Sequence, residues 1–445
     1  MKKFIKVTAV ILVFVMLFTA CSPAGGGTPA GGTAAPAGAA TAPAGGATAD
    51  APVTITLLTG IFNGGHNTIV DVFNETFDHI QIDLNNTAAS WEDISTQKIT
   101  MVAAGMGPDI TTVSTSFYPQ FAAQGLLLDI TDYMTANIDR DSIHWSVIEN
   151  LFIDGRLFGL PISVFSLIVY YNRDMFEAAG IEAPSLDWNN TWTKDEWFNI
   201  AAQLTHGEGM DRVYGGWADI QLERTACFLF PLGLDYWREG DLFPQFDNRQ
   251  IRDIHEVVFH AMHTDRIIPD GSTIMTAPVA QLFADERLAM MINGTWMHPA
   301  ILESGINFGV APTPGGVTVS YIDVYIPYAN TRHPEATKEV MHWLIGEVPS
   351  SIKYQEFTWG PQVCKLATEY NMDILFQGLT QPEKDMIFNS LAQGNSRPLT
   401  VFPEWAEFLT ASLLPISSLM RIGEYSVDDA FDRLQEEALT ILGLN

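Results

Sequence analysis

Val53-Thr54-Ile55-Thr56-Leu57-Leu58-Thr59-Gly60 alternates apolar and polar side chains and then stops at Thr-Gly, and that period of two predicts a strand over residues 53–58. Working outward, Ile69, Val70, Phe73 and Phe77 recur at helical spacing. Residues 79–84 read as a second strand, residues 91–104 as a helix ended by Gly105 and Gly107, and residues 109–113 as a third strand. Strand, helix, strand, helix, strand is the pattern of a parallel sheet covered by helices, so the expected fold class is α/β. The alternation resumes at residues 308–311 and 324–326 and in a helix over 334–345. From Asn371 onward the pattern is mostly helical, with Pro382, Pro398, Pro403 and Pro415 as breaks. No internal repeat is present.

The chain has 445 residues, 47% hydrophobic and 17% charged, enough for a sizeable core and too long for one ordinary domain. Acidic side chains outnumber basic ones by 52 to 23, for a net charge of −29. Such a surface repels phosphate backbones and anionic lipid, which excludes nucleic acid as a partner and leaves neutral or cationic ligands. Cys21, Cys227 and Cys364 make neither a disulfide framework nor a four-ligand zinc site.

Residues 1–20 place three lysines before an apolar run over 7–18 and a small-residue end, the layout of a secretory signal. Leu17-Phe18-Thr19-Ala20-Cys21 resembles a bacterial lipobox, in which the cysteine is lipidated. A plain signal peptide with an incidental cysteine is the other reading. From residue 22 to residue 49 every side chain is Ser, Pro, Ala, Gly or Thr. Nothing there offsets the entropy of ordering. A coil of that composition reaches roughly 30 Å, enough to float a globule above the cell membrane on acyl chains at Cys21.

Several segments taken together resemble one family. Among them are Ala103-Ala104-Gly105-Met106-Gly107-Pro108-Asp109, Asp154-Gly155-Arg156-Leu157-Phe158-Gly159-Leu160-Pro161, Tyr170-Tyr171-Asn172-Arg173-Asp174-Met175-Phe176, Trp192-Thr193-Lys194-Asp195-Glu196-Trp197, Ile292-Asn293-Gly294-Thr295-Trp296 and Pro312-Thr313-Pro314-Gly315-Gly316. Their order and spacing are similar to the extracellular solute-binding proteins (family 1) that feed ABC importers, in the branch that takes sugars and oligosaccharides. The resemblance implies a two-lobe periplasmic-binding-protein-like fold of type II, with discontinuous lobes joined by hinge crossings near 161–164, 321–326 and 361–365. On that basis residues 1–20 are a lipoprotein signal and 21–50 a flexible linker. Residues 51–163 with 322–362 form the N-terminal lobe, and 164–321 with 363–445 the C-terminal lobe. The implied partners are ABC permease subunits with their ATPase, the membrane through the lipid anchor, and a carbohydrate, with the protein a monomer that uses no cofactor or metal. The aromatic-rich stretch 227–251 matches no pattern of the family and falls where ligand specificity is often encoded.

A pyranose presents a C–H face and a hydroxyl rim, so its pocket needs aromatic platforms and planar hydrogen-bonding groups. Trp296 closes the Asn-Gly-Thr-Trp segment, which in the family points into the cleft. Trp217, after two glycines, Trp237, beside Asp235 and Tyr236, and Trp359, before Gly360-Pro361, are further candidates for stacking, with core packing as the competing role. Trp91, Trp197 and Trp343 sit at apolar helical spacing and read as core. For the rim, Asn63 and His66 follow the first strand, and Ser116 and Phe117 follow the strand at 109–113. Ligands of open α/β sheets bind at such carboxyl ends, although a turn and helix cap would also account for Asn63 and His66. Tyr321 and Asp323 lie at the second crossing, where a carboxylate can accept two adjacent hydroxyls or form a hinge salt bridge. Asp109 reads as structural.

Other functions are weighed on the same residues. A polyamine or other cationic solute would be drawn by the net charge and held by aromatic boxes. A membrane-anchored glycosidase or polysaccharide lyase would need two carboxylates across the bond. A ferric site would lean on Tyr170 and Tyr171, which read better as strand residues. His255, His260 and His263 form no i, i+4 pair and read as a solvated helix face. No phosphate loop is present, so ATP hydrolysis would belong to a partner.

Overall fold

β1 (Val53–Thr59) lies between β2 (Ile80–Asn86) and β3 (Ile110–Ser114), both parallel to it. The computed structural model describes residues 51–60, 63–86, 98, 100–102, 104–356, 361–392 and 394–444. The alternation of β1 survives in its burial only at the start. Ile55 is buried and Thr54 exposed, but from Leu57 onward both faces are covered, as a parallel sheet with helices on it requires. One cover is the helix Asn63–Thr76, which turns Ile69, Val70 and Phe73 inward. Asp109 ties the sheet together. Its carboxylate accepts from the backbone N–H and hydroxyl of Thr56, both at 2.8 Å, and from the Thr331 hydroxyl at 2.6 Å.

The remaining strands are β4 (Phe152–Ile153), β5 (Arg156–Leu157), β6 (Leu160–Asn172), β7 (Met290–Gly294), β8 (Phe308–Ala311), β9 (Thr318–Pro327) and β10 (Ser396–Pro398). The sheet runs β2-β1-β3-β9-β6-β7, with β10 on β9 and β8 on β6. β6, buried along all 13 residues, serves two groups of strands. From Leu160 to Ser166 it is antiparallel to β9. From Leu167 onward it leaves β9 for β7 and β8. Pro161 has no N–H for the ladder, and the register shifts between Pro161 and Ser163. The Val164 N–H donates instead to the Pro361 carbonyl at 2.8 Å. The three segments that the resemblance assigned to hinge crossings therefore lie side by side.

Two local expectations are corrected. Pro415 does not break the C-terminal helix. Helical turns continue from Trp405–Glu407 through a π-helical stretch, Phe408–Leu413, into Leu414–Arg421, and the wide turn absorbs the missing N–H. The helix Arg249–His263 is not a solvated histidine face either, because His255 is fully buried with Nε2 2.8 Å from the Tyr236 hydroxyl. His263 contacts the Met420 carbonyl at 2.9 Å, and only His260 of the three is exposed. Cys227 and Cys364 are buried free thiols.

Candidate functional site

β9 runs antiparallel to β3, so the carboxyl end of β3 and the first half of β9 meet at one end of the sheet's central strands, with Ser114 opposite Asp323. The Thr115 N–H donates to the Ile322 carbonyl at 2.9 Å and fixes the loop that follows β3. β10 pairs in parallel with β9, Pro398 opposite Ser320, which delivers residues 399–401 to the same place. The β4–β5 hairpin forms the far wall. Tyr118 holds it, donating its hydroxyl to the Leu151 carbonyl at 2.8 Å while accepting from the Phe158 N–H at 3.1 Å.

These elements enclose a cleft of about 380 Å³, within the size range of small-molecule sites. Ser116, Asn150, Ser320, Arg397 and Thr400 supply polar groups to it, and Phe152 and Tyr321 supply ring surface. Arg397 is held by an ion pair to Asp235 and lies over the Phe230 ring, 4.2 Å from its centre.

Tyr321 joins this cleft to a second feature. It faces Phe165 across the β6–β9 ladder. Trp296 follows the end of β7 and meets both rings edge to face, with centroids 5.7 Å from Phe165 and 5.3 Å from Tyr321. The indole folds back over Gly294, where a Cβ atom would sit 2.2 Å from it, so this geometry requires glycine. Arg224 places its guanidinium 5.0 Å from the Trp296 ring centre and 5.7 Å from that of Tyr321, within cation–π reach of both. Its helix, Leu222–Leu229, is fixed at the start, where the Thr225 hydroxyl donates to the Asp219 carbonyl and Arg421 clamps the Asp219 carboxylate. Arg224 Nη1 and the Tyr321 hydroxyl are both buried without a hydrogen-bond partner among the described residues. Burial pushes the Tyr321 phenol well above its ordinary range, with Arg224 opposing and Glu223 adding to the rise.

The other expected site residues are distributed as follows. Ser116 lines the cleft. Asp323 is buried on β9, opposite Ser114 and Ser163. His66 is buried with Nε2 2.9 Å from the Tyr325 hydroxyl, which makes it a packing residue beneath the sheet, and Phe117 belongs to the core. Trp217 is only 6% exposed, and its backbone extends the sheet by bonding Met290 and Ile292 of β7. Trp237 is buried edge-on among Phe246, Phe402, Trp405 and Phe408, at centroid distances of 5.5, 4.7, 6.3 and 5.3 Å. Both tryptophans are therefore core residues, not exposed platforms. The side chain of Asn63 and all of Trp359 lie outside the described residues, as do Cys21 and Trp91. Among the described residues, no group of three His, Cys, Asp or Glu side chains is placed to hold a metal ion.

The sequence reading missed Arg224, Asn150, Phe165, Arg397 and Thr400. A signal existed for Arg224, the one basic residue in the otherwise mostly apolar run Leu222–Leu232 of an acidic chain. For Arg397 and Thr400 none existed, since their place depends on pairing with a strand nearly eighty residues away.

The relatives agree with this architecture. A putative binding protein of Brucella abortus is 26% identical over 59% of this chain, and the match spans 64% of that protein's length. The maltodextrin-binding protein of Bacillus subtilis is 21% identical over 75% of this chain and 78% of its own. Among solved structures, an ABC substrate-binding protein of Listeria monocytogenes in complex with cycloalternan superposes with a TM-score of 0.76, covering 88% of this chain and 99% of that one at 18% identity. At that identity it shows the fold alone, the two-lobe periplasmic type II architecture. The family model of bacterial extracellular solute-binding proteins matches residues 63–348, well over half of the chain, and the chain belongs to that family, whose members are extracytoplasmic.

Proposed function

We propose that this protein is the substrate-binding component of an ABC importer that captures a neutral sugar or oligosaccharide and delivers it unchanged to a membrane permease. The observation that carries the reading is the cleft at the β3–β9–β10 junction, lined by hydroxyl, amide and guanidinium groups together with the Phe152 and Tyr321 rings. That mixture suits a ring with an apolar face and a hydroxyl rim. Relatives named for galactooligosaccharides and maltodextrins support it. In this reading the lobes are residues 51–163 with 322–362 and 164–321 with 363–445, closing about the paired β6 and β9. A ligand touching both lobes stabilises the closed form by its differential affinity. Lipidation of Cys21 would tether a monomer to the membrane.

The charged side chain lining the cleft is Arg397, and Arg224 stands behind Tyr321, an arrangement that disfavours a polyamine. A glycosidase needs two carboxylates beside the bond, and the described residues that line the cleft include no Asp or Glu. The test is a thermal-shift panel of neutral oligosaccharides and polyamines, followed by chromatography of the recovered sugar. A sugar at a hundred times its Kd stabilises the fold by about 2.7 kcal/mol and returns intact. A shift with polyamines alone, or a cleaved sugar, overturns the reading.

A further inference from the structure

The aromatic-rich stretch 227–251 contains a hairpin that the cleft alone does not explain. Trp237 and Pro244 form an antiparallel bridge, the Arg238 N–H donates to the Phe243 carbonyl at 2.9 Å, and the Gln245 N–H to the Tyr236 carbonyl at 2.8 Å. The aromatic side of this hairpin is sunk in the core through Trp237 and Phe246. Its turn is polar and exposed, stiffened by an Arg238–Asp241 ion pair, with Leu242 at a φ of +56°.

The turn lines a cavity of about 520 Å³ together with Asp235, Trp237, Gln245, Arg397 and Thr400. Arg397 and Thr400 also line the 380 Å³ cleft, so the two spaces share a wall. That wall is fixed. The Asp235 carboxylate, 12% exposed, receives both the Arg397 guanidinium and the Thr400 hydroxyl, while the Arg397 side chain remains 42% exposed and offers its other N–H donors. Acceptors (Asp235, Glu239), donors (Arg397, Gln245) and the Leu242 side chain form a surface suited to hydroxyls and C–H groups.

Resting on the sugar-binding reading above, we infer that this cavity is a second subsite of the same ligand. The ligand crosses the Arg397–Asp235 pair and continues against the Glu239–Leu242 turn, so the preferred substrate is an oligosaccharide long enough to fill both spaces and not a mono- or disaccharide. The aromatic stretch then serves to seat a rigid, polar specificity turn beside the cleft.

The test is calorimetric titration of the whole protein with malto-, manno- and galacto-oligosaccharides from disaccharide to hexasaccharide. In the series that binds, affinity rises about tenfold or more beyond the disaccharide. Glu239→Trp, at an exposed turn position, fills the second cavity, removes that gain and leaves disaccharide affinity and melting temperature unchanged. Affinity independent of length in the wild-type protein, or a Glu239→Trp loss equal for short and long sugars, overturns the second subsite while leaving the sugar-binding reading intact. Failure of every sugar to bind overturns both.

Discussion

Two aromatic clusters in this molecule look alike in sequence and differ in kind. Around Trp237, the rings of Phe246, Phe402, Trp405 and Phe408 close on one another, and the indole is 3% exposed. Around Trp296, two rings and an arginine meet beside a cleft, the indole is half-buried, and two polar atoms are left without partners among the described residues. The first is stabilised by contacts already made. Unpaired polar atoms alone do not separate the two, since Trp405 Nε1 in the first cluster also has no partner among the described residues; the difference is that Arg224 Nη1 and the Tyr321 hydroxyl stand beside a cleft that a ligand can enter. Truncation separates them. Trp237→Ala removes a fully packed indole and lowers stability by about 3–5 kcal/mol, read by denaturant unfolding. Ligand affinity of the folded fraction falls only for long sugars. Trp296→Ala does the reverse. It costs less stability but weakens every sugar by about a hundredfold in titration, roughly 2.7 kcal/mol. A Trp296→Ala variant with full affinity would make the second cluster another piece of core.

Acid adds a second measurement, because one buried histidine adjoins the closed cluster through Phe431 and another begins the helix just past Trp296. His255 packs against Phe431 and Tyr236, and burial holds its imidazole down to about 3. His298, beneath Phe308 and Phe376, is likewise held down to about 4. Both values lie below the ordinary 6.5, so as pH falls the unfolded chain takes up these protons first. Their stabilising contribution is whole above pH 6.5 and is lost as pH drops toward 4, by about 1.4 kcal/mol per pH unit for each histidine. Urea midpoints at pH 7, 6 and 5 check this, and His255→Gln should flatten the slope. A slope unchanged by that substitution would place the proton uptake elsewhere.

What was legible in the sequence follows from the range of the interactions involved. β1, its helix and β3 are written in local periodicity, and the structure places them where the pattern does. Trp296 stood out because Asn-Gly-Thr-Trp is a local motif. Trp217 misled because Gly215-Gly216 reads as a turn near a ligand. Those glycines are instead needed for close packing, since a Cβ at Gly216 would stand 2.7 Å from the Trp197 ring and one at Gly215 1.7 Å from the Ala201 carbonyl oxygen. Nothing local distinguishes a glycine that admits a ligand from one that admits a helix. Arg397 acquires its role only when distant strands meet, and no spacing rule reaches that far; for Arg224 the sequence shows a basic residue in an apolar run but not the rings that it meets.

The smallest effect is the most discriminating, because it runs in opposite directions in the two measurements. The Tyr321 hydroxyl is buried beside Arg224 and has no hydrogen-bond partner among the described residues. Tyr321→Phe keeps the ring against Trp296 and Phe165 and removes only the oxygen. In an ordinary core the change removes an existing hydrogen bond and destabilises. Here it removes a desolvated group with no bond to lose, so the unliganded protein gains about 1 kcal/mol. If the hydroxyl serves a ligand, the same variant binds sugar about fivefold more weakly, because the ligand group that it would meet loses its partner. Stability from denaturant curves and affinity from titration must therefore move apart. A loss of both would mean that Tyr321 is bonded within the protein, and a gain in stability with affinity unchanged would remove its hydroxyl from the site.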